Sequence, residues 1–296
     1  LRVMTVAGLA TIAVGLMLVS RMTVDARYLD LLWPLLIMSA GLGLCTAPAT
    51  YAIIAETPES KHGVAAAVND AAREIAILAT LGFHSAVTFN DVHVEGIENI
   101  SKEDIEHATE MGYVIKLLAI ARQDEDGISL NVHPAFIRKG HPLANVDGAY
   151  NAVCVRGNCV GDVMFYGQGA GSLPTASAVV SDVMNVILHR NLKMTGKRDY
   201  VWHEAKLKPQ ADISSPYYIR MIVNNAPGVL AAVSKVLAEN NISIRSLIQK
   251  DETAEIAEIV ILIDKSPAGL VQASLQKIED LSCVRKIANA IRVIEV

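Results

Sequence analysis

The sequence is poor in aromatic residues and in cysteine. Phe, Trp and Tyr together make up 5% of its 296 residues, and the cysteines number four. Cys45, Cys154, Cys159 and Cys283 follow no paired spacing, which argues against a disulfide framework and favours free thiols. Cys154 and Cys159 also have no His or Cys companion at a zinc-like spacing, so we expect no metal site there.

A clustered stretch of basic residues is missing as well. The formal net charge is −5, with 26 Lys and Arg against 31 Asp and Glu. Proteins that bind a phosphate backbone carry a basic patch or stripe, because each contacted phosphate needs a cation. The sequence therefore predicts no nucleic-acid partner.

Long apolar runs are confined to the first fifth of the chain. Residues 1–20 contain a single charge, Arg2, and residues 31–55 contain none. About twenty helical residues cover the roughly 30 Å of hydrocarbon in a bilayer. We therefore predict a two-helix membrane hairpin that places residues 1–55 in a membrane, with the soluble remainder of the chain in the cytoplasm.

Small residues and prolines characterise the second apolar run and the segment that follows it. Residues 41–44 read GLGL, residues 47–48 read AP, and residues 63–74 read GVAAAVNDAARE. These features resemble the late helices of major facilitator drug-efflux transporters. The resemblance implies a transporter-like fragment over residues 1–75, and a part of a multidrug-efflux transporter stays open as an alternative function.

Residues 76–190 change to the pattern of a soluble α/β domain. Residues 87–94 alternate as a strand, and Ser101 begins a capping-box-like helix that ends at Gly112. Apolar runs at 114–121 and 128–132 predict two further strands joined by a turn.

A glycine-rich turn, GQGAG at residues 167–171, follows a strand-like stretch and precedes a helix predicted over 174–189. A dinucleotide-binding fingerprint needs a third glycine at position 172, where Ser172 stands, so the Rossmann pattern is not met. The turn is either a point of close backbone packing or a place where a ligand approaches a helix N-terminus. The residues alone leave both interpretations open.

Several motifs of this part, in order, resemble homoserine dehydrogenases. They are VEGI at 94–97, ISxxDI at 100–105, GYVIKLL at 112–118, HPLANVxGxxNAV at 141–153 and FYGxGAGxxPTA at 165–176. The resemblance implies NAD(P)-dependent hydride transfer between homoserine and aspartate semialdehyde, in threonine and methionine biosynthesis. It also implies that Gly171, with Gly169 beside it, lies near the nicotinamide, and that the substrate-domain sheet forms a homodimer contact.

The same resemblance assigns the catalytic positions to one helix. An Asp and a Lys four residues later position the substrate and assist proton transfer, and the matching residues here are Asp70 and Glu74. A reacting carbonyl needs a cation or a proton donor near its oxygen, which a glutamate does not supply while it is ionised. We also recognise no dinucleotide-binding domain in the sequence, and we expect the chain alone to be inactive.

Residues 70–75 fit both resemblances, so the sequence predicts that two unrelated pieces join near Ala76. A natural fusion and a mis-joined sequence both explain such an overlap.

The charged stretch 191–215 predicts a linker, and residues 216–296 follow the order strand, helix, strand, strand, helix, strand. That βαββαβ order is typical of the ferredoxin-like fold, which makes the predicted class of the whole chain α+β. Between the first strand and its helix, residues 225–230 read NAPGVL. This is either an ordinary turn or a place where helix N–H groups meet a carboxylate.

The NAPGVL loop and the later Ile242, Ser243, Ile244 and Gln249 resemble an ACT domain, a module that binds free amino acids where two copies meet. The resemblance implies an amino-acid effector, with threonine favoured, and a homodimer through the ACT domain. The effector-binding residues that it implies are Asn225, Pro227, Gly228, Val229 and Leu230. A free-standing amino-acid-binding regulatory module is the alternative function.

Overall fold

The computed structural model describes residues 2–21, 28–55, 62–169, 171–191, 203–251, 253 and 255–295. They fall into two compact units, Leu1–Ala67 with Asp147–Val201 and Val68–Val146 with Trp202–Val296. The helices are α1 (Arg2–Ser20), α2 (Tyr28–Ala55), α3 (His62–Phe83), α4 (Lys102–Glu110), α5 (Ser172–Asn191), α6 (Val229–Glu239) and α7 (Ala268–Glu279).

The strands are short in the middle of the chain and long toward its end. They are β1 (Ser85–Ala86), β2 (His93–Val94), β3 (Tyr113–Asp124), β4 (Gly127–Arg138), β5 (Tyr150–Gly157), β6 (Gly161–Gln168), β7 (His203–Glu204), β8 (Ser214–Asn224), β9 (Ile244–Asp251), β10 (Ile256–Pro267) and β11 (Val284–Ile294).

The first unit contains α1 and α2, which pack closely where their glycines meet. A Cβ added at Gly41 would lie 2.8 Å from the carbonyl oxygen of Gly8. A membrane span needs about twenty consecutive apolar residues. Within the described part of the chain no helix is both long and apolar enough to span a membrane, so the membrane hairpin predicted for residues 1–55 is not supported. Residues 22–27, between the two helices, lie outside the described residues.

Helix α3 runs without a break through Ala76, near which the sequence predicts the junction of two pieces. The boundary between the two compact units lies between residues 67 and 68. From Val68 onward the buried side chains recur every three or four residues, which is the spacing of one helical face. They are Val68, Ala72, Ile75, Ala76 and Ala79.

The second unit is built on one sheet of seven strands, in the order β2-β4-β11-β8-β10-β9, with β3 paired to β4. Strands β3 and β4 confirm the two strands predicted around residues 114–121 and 128–132, and both are longer than predicted. Helix α4 confirms the predicted helix after Ser101, whose side chain accepts a hydrogen bond from the backbone N–H of Asp104.

The strand predicted over residues 87–94 is wrong, because only His93 and Val94 pair in the sheet. Residues 89–91 form a turn of 3-10 helix instead. The carboxylate of Asp91 accepts hydrogen bonds from both the backbone N–H and the hydroxyl of Thr88, each at 2.7 Å. Such local side-chain bonds compete with strand pairing, and here they turn the chain away from the sheet.

Residues 214–294, called the C-terminal module below, have the predicted βαββαβ order. Strand β8 lies between β11 and β10, all antiparallel, and β9 pairs with β10 at the edge. Helices α6 and α7 cover a core that includes Ile219, Val233, Ile259 and Ile278, none more than 1% exposed. The alternation of apolar residues predicted this arrangement, since each strand has one buried face.

The sheet of the C-terminal module continues into the preceding domain. Strand β11 pairs in parallel with β4, with Arg292 opposite Ala135 and Ile294 opposite Ile137. The two parts that look like separate domains in the sequence therefore share one sheet. Local periodicity does not predict such a pairing, because it joins residues that are far apart in the chain.

Candidate functional site

The loop between β8 and α6 lines a cavity of about 350 Å³. Its walls include every residue that the sequence assigns to the effector, namely Asn225, Pro227, Gly228, Val229 and Leu230, together with Gln249 of β9 and Ile259 of β10. The loop was predicted from its sequence. The side chains from β9 and β10 reach the same cavity through strand pairing.

Gly228 shapes this loop. Its φ of 91° lies in the left-handed region that favours glycine, and it is the N-cap residue immediately before α6. Since glycine has no side chain to cap the helix, a carboxylate in the cavity would meet the positive end of α6. Asn225 is held next to the start of β10, because its backbone N–H donates to the backbone carbonyl oxygen of Glu255 at 2.9 Å.

The predicted catalytic residues Asp70 and Glu74 are four residues apart on α3, and both side chains are exposed. The next residues of the helix line an apolar groove of about 390 Å³, together with Val87, Thr88 and Phe89. Arg73 lies at this groove, with its guanidinium carbon 5.9 Å from the centre of the Phe89 ring. Asp70 and Glu74 are not among the residues that line the groove.

The glycine-rich turn belongs to the first unit, and Ala170 within it lies outside the described residues. A Cβ on Gly169 would lie 2.1 Å from the side-chain nitrogen of Asn151, so close packing alone accounts for this glycine. Gly171 has a φ of 131° and immediately precedes α5. Its carbonyl accepts a hydrogen bond from the N–H of Thr175 at 3.1 Å.

NAD(P) fits these residues only in part. At Gly171, next to the start of α5, an added Cβ would lie 3.4 Å from Cδ of Pro174, which is ordinary van der Waals contact. At Gly169 the side chain of Asn151 takes up the space next to the backbone. A single turn beside a nicotinamide ring would not hold the two phosphates of a dinucleotide, so the assigned residues would account for a portion of the cofactor at most.

Sequence reasoning missed a buried polar cluster between α4 and the sheet. We call it the α4 cluster; its members are Asp104, His107, Tyr218, Arg220 and Glu258, all buried. Arg220 Nε donates to Asp104 Oδ1 at 2.7 Å, and Arg220 Nη1 donates to Glu258 Oε2 at 3.1 Å. The available signal was a charged residue inside each of two apolar strands, at Arg220 and Glu258.

The pKa values of Asp104 and Tyr218 in the α4 cluster are displaced in opposite directions. Burial by itself favours the neutral acid at Asp104, but hydrogen bonds from Asn289, Ser101 and Arg220 hold the pKa of its carboxyl below the ordinary value. Burial and the neighbouring carboxylate of Asp104 raise the pKa of the Tyr218 hydroxyl. Asp104 is therefore an acceptor and Tyr218 keeps its hydrogen near neutral pH.

Two family models match this chain. Residues 66–184 match the homoserine dehydrogenase model, and residues 217–280 match the ACT domain model. These matches support a homoserine dehydrogenase domain over residues 66–184 and an ACT domain over residues 217–280. The ACT match falls within the C-terminal module, and the homoserine dehydrogenase match includes α4, β3 and β4.

Curated relatives agree with these matches. The homoserine dehydrogenase of a Synechocystis species is 41% identical over 240 residues, which are 76% of this chain and 54% of the relative. That of Neisseria gonorrhoeae is 40% identical over 234 residues, again 76% of this chain and 53% of the relative. The chain thus spans about half the length of the curated relatives it matches.

Solved structures lead to the same family. A homoserine dehydrogenase from Thiobacillus denitrificans superposes with a TM-score of 0.72 at 37% identity, over 76% of this chain and 53% of that one. A homoserine dehydrogenase from S. aureus gives a TM-score of 0.55 at 30% identity over 77% of this chain. Residues 1–65 lie outside both family matches, and these findings do not support the transporter-like fragment predicted for residues 1–75.

Proposed function

We propose that the ACT domain of this chain binds a free amino acid, with threonine the first candidate, and regulates a homoserine dehydrogenase. The observation that carries the proposal is the cavity of about 350 Å³ between β8 and α6. The positive end of α6 would attract the α-carboxylate of the ligand. The apolar wall from Val223 and Ile259 would accept its methyl group.

The remaining polar side chains of the cavity are three neutral amides, Asn224, Asn225 and Gln249. The resemblance leads us to expect an acidic residue where Asn225 stands. An amide oxygen accepts a hydrogen bond from an ammonium group more weakly than a carboxylate does, because it has no full charge. We therefore expect binding in the millimolar range rather than tighter.

Calorimetric titration of the whole chain with threonine tests this function. We expect heat of binding in the wild type, and at least tenfold weaker binding in Gln249→Ala. Gln272→Ala, an exposed glutamine on α7, is the matched control and should bind as the wild type does. Absence of heat at millimolar threonine in the wild type would remove this proposal.

The second proposed function is the homoserine dehydrogenase reaction itself, supported by the family match over residues 66–184. In this proposal Asp70 orients the substrate, Gly171 lies beside the nicotinamide of NAD(P), and the chain serves threonine and methionine biosynthesis. Glu74 occupies the position at which the resemblance implies a Lys. A carboxylate there cannot stabilise negative charge on the reacting oxygen, so we propose that this polypeptide alone does not transfer hydride.

The purified chain, incubated with NADPH and aspartate semialdehyde, tests the second function through the absorbance of the reduced cofactor. We expect no turnover above the rate without protein. Measurable turnover would contradict the proposed inactivity and would make Glu74 a competent residue.

We also propose that the chain forms homodimers through its sheets. Strand β9 is the last strand in the order of the large sheet, and an edge strand offers backbone groups for pairing with a second copy. Light scattering after size-exclusion chromatography measures the mass directly. A mass near 31.8 kDa, that of one chain, would contradict this proposal.

A further inference from the structure

His107 contacts two partners in the α4 cluster, one with each ring nitrogen. Its Nδ1 lies 3.0 Å from the hydroxyl oxygen of Tyr218, and its Nε2 lies 3.1 Å from Glu258 Oε1. Tyr218 gives its single hydrogen to Asp104 Oδ1, at 3.1 Å. The Tyr218 oxygen then has only lone pairs to offer His107, so Nδ1 must carry a hydrogen.

The contact with Glu258 likewise requires a hydrogen on Nε2 of His107. Glu258 Oε2 accepts a hydrogen bond from Arg220 Nη1 at 3.1 Å, as one half of an ion pair. An ionised carboxylate can only accept, so Nε2 of His107 must also carry a hydrogen to bond Oε1. A ring with hydrogens on both nitrogens is a cation.

The charge count of the buried groups supports this assignment. The side chains of Asp104, His107, Arg220 and Glu258 are 0%, 6%, 9% and 7% exposed, respectively. With a neutral His107 the set would hold two carboxylates against one guanidinium, and an uncompensated buried charge is costly. With His107 charged, two anions meet two cations.

We propose that His107 is an imidazolium whose two N–H groups complete a charge-neutral buried quartet, which joins α4 of the dehydrogenase domain to strands β8 and β10 of the ACT domain. Two other carboxylates of α4 lie near the quartet: Glu110 meets Lys250 of β9 at 2.8 Å, and Glu103 interacts electrostatically with Arg220. Separating α4 from the sheet would expose all four charges of the quartet. The quartet therefore acts as a positioning contact between the two domains.

Nitrogen-15 correlation spectra of the histidine-labelled chain at pH 7 test the proposal. An imidazolium gives two ring nitrogens with similar shifts, whereas a neutral ring gives two well-separated shifts. We expect the first signature for His107. Two well-separated shifts for His107 would overturn the proposal.

His133 is the internal control in the same spectrum. Its Nδ1 lies 2.9 Å from the carbonyl oxygen of Pro134 and donates to it. Burial and the charge of Arg292 lower the pKa of His133 to about 4, so its ring is neutral at pH 7. Its two nitrogens should be well separated.

Two variants connect the protonation to the contact. In Glu258→Gln the carboxylate charge is gone, and we expect His107 to lose the imidazolium signature; retention of that signature would contradict the ion pair. His107→Gln identifies the His107 resonances by their loss and should lower the thermal unfolding midpoint. His203→Gln, at an exposed histidine, is the matched control and should not change the midpoint.

An unchanged midpoint in His107→Gln would overturn the positioning role. If that variant does not fold, through-bond correlation from the backbone of residue 107 assigns the ring in the wild type, and the test at pH 7 stands.

Discussion

Strand β4 and the β5–β6 hairpin both belong to the part matched by the homoserine dehydrogenase model, yet their side chains differ in solvent exposure. In β4 every residue from Gly127 to Ile137 is buried. In the hairpin the side chains of Phe165 and Tyr166 are 65% and 52% exposed. Both segments therefore match the same family model, but burial differs between them. Only β4 is stabilised by extensive contacts within its compact unit.

The physical difference is the number of neighbouring strands. Strand β4 pairs with β3 over its whole length and with β2 and β11 along its other edge. Strands β5 and β6 pair only with each other within the described sheets, supported by the stacked rings of Tyr150 and Tyr166 at 4.9 Å. A two-stranded hairpin by itself is marginally stable in water, whereas a strand inside a sheet shares a core.

The largest expected effect comes from the α4 cluster. Arg220→Met leaves the carboxylates of Asp104 and Glu258 buried without their guanidinium, which should cost about 3–5 kcal/mol of the free energy of unfolding. Urea denaturation measures the loss. Arg122→Met, at an exposed arginine of β3, is the control and should leave stability nearly unchanged. Equal effects of the two variants would show that the cluster does not stabilise the sheet.

The next largest loss of unfolding free energy is expected from a core residue of the ACT domain. Ile261 in β10 is 0% exposed, and Ile261→Ala removes three carbons from a packed core. We expect a loss of about 2–5 kcal/mol, from lost burial and from the cavity that remains. The same urea experiment measures it. A loss well below this range would mean that the core closes around the cavity.

Acidification should lower the free energy of unfolding through His133, a buried residue of β4. Burial, then the charge of Arg292, lower the pKa of His133 from 6.5 to about 4. Between pH 6.5 and pH 4 the unfolded chain binds a proton at His133 that the folded chain does not bind. The contribution of the neutral ring to the free energy of unfolding is therefore complete above pH 6.5 and is lost as the pH falls toward 4. The loss should be on the order of 3 kcal/mol by pH 4.

Urea midpoints measured from pH 7 to pH 4 test this dependence. His133→Leu should flatten the curve in that window, because leucine takes up no proton. A slope that persists in this variant would assign the proton uptake to another group. The carboxyl of Asp104, whose pKa is lowered, contributes its loss at still lower pH.

The smallest effect is expected in the hairpin. Phe165→Ala should change the free energy of unfolding by less than about 0.5 kcal/mol, since its ring is already largely exposed. A loss of 2 kcal/mol or more would show that the ring is buried in solution against another surface. Light scattering on the same samples would then tell whether that surface is a second copy of the chain.

Sequence patterns predicted the local elements well where one periodicity continued over many residues. The βαββαβ order, helix α4 and strands β3 and β4 all followed from alternation or from a cap. The strand predicted over residues 87–94 failed, because Thr88 and Asp91 bond to each other rather than to a sheet. Ser101 and Asp104 show the opposite outcome, since the same kind of bond begins a helix there.

The sequence likewise predicted only some of the residues of the candidate site. The loop from Asn225 to Leu230 was recognised from consecutive residues, and the structure places all its assigned members around one cavity. Gln249 was noted only as part of a motif, and Ile259 was not connected with the site. Both reach it because β9 and β10 pair in register across the sheet.

The sequence by itself determined what local order can encode: the alternating faces of the strands, the glycine at the start of α6, and the motifs that mark the homoserine dehydrogenase and ACT domains. Only the tertiary structure decided that β11 pairs with β4 and that α4 brings Asp104 and His107 onto Arg220 and Glu258. The physical reason is distance along the chain. Periodicity shows that Arg220 and Glu258 lie on one face of their strands, but their partners on α4 are more than a hundred residues away, and only folding brings the charges together.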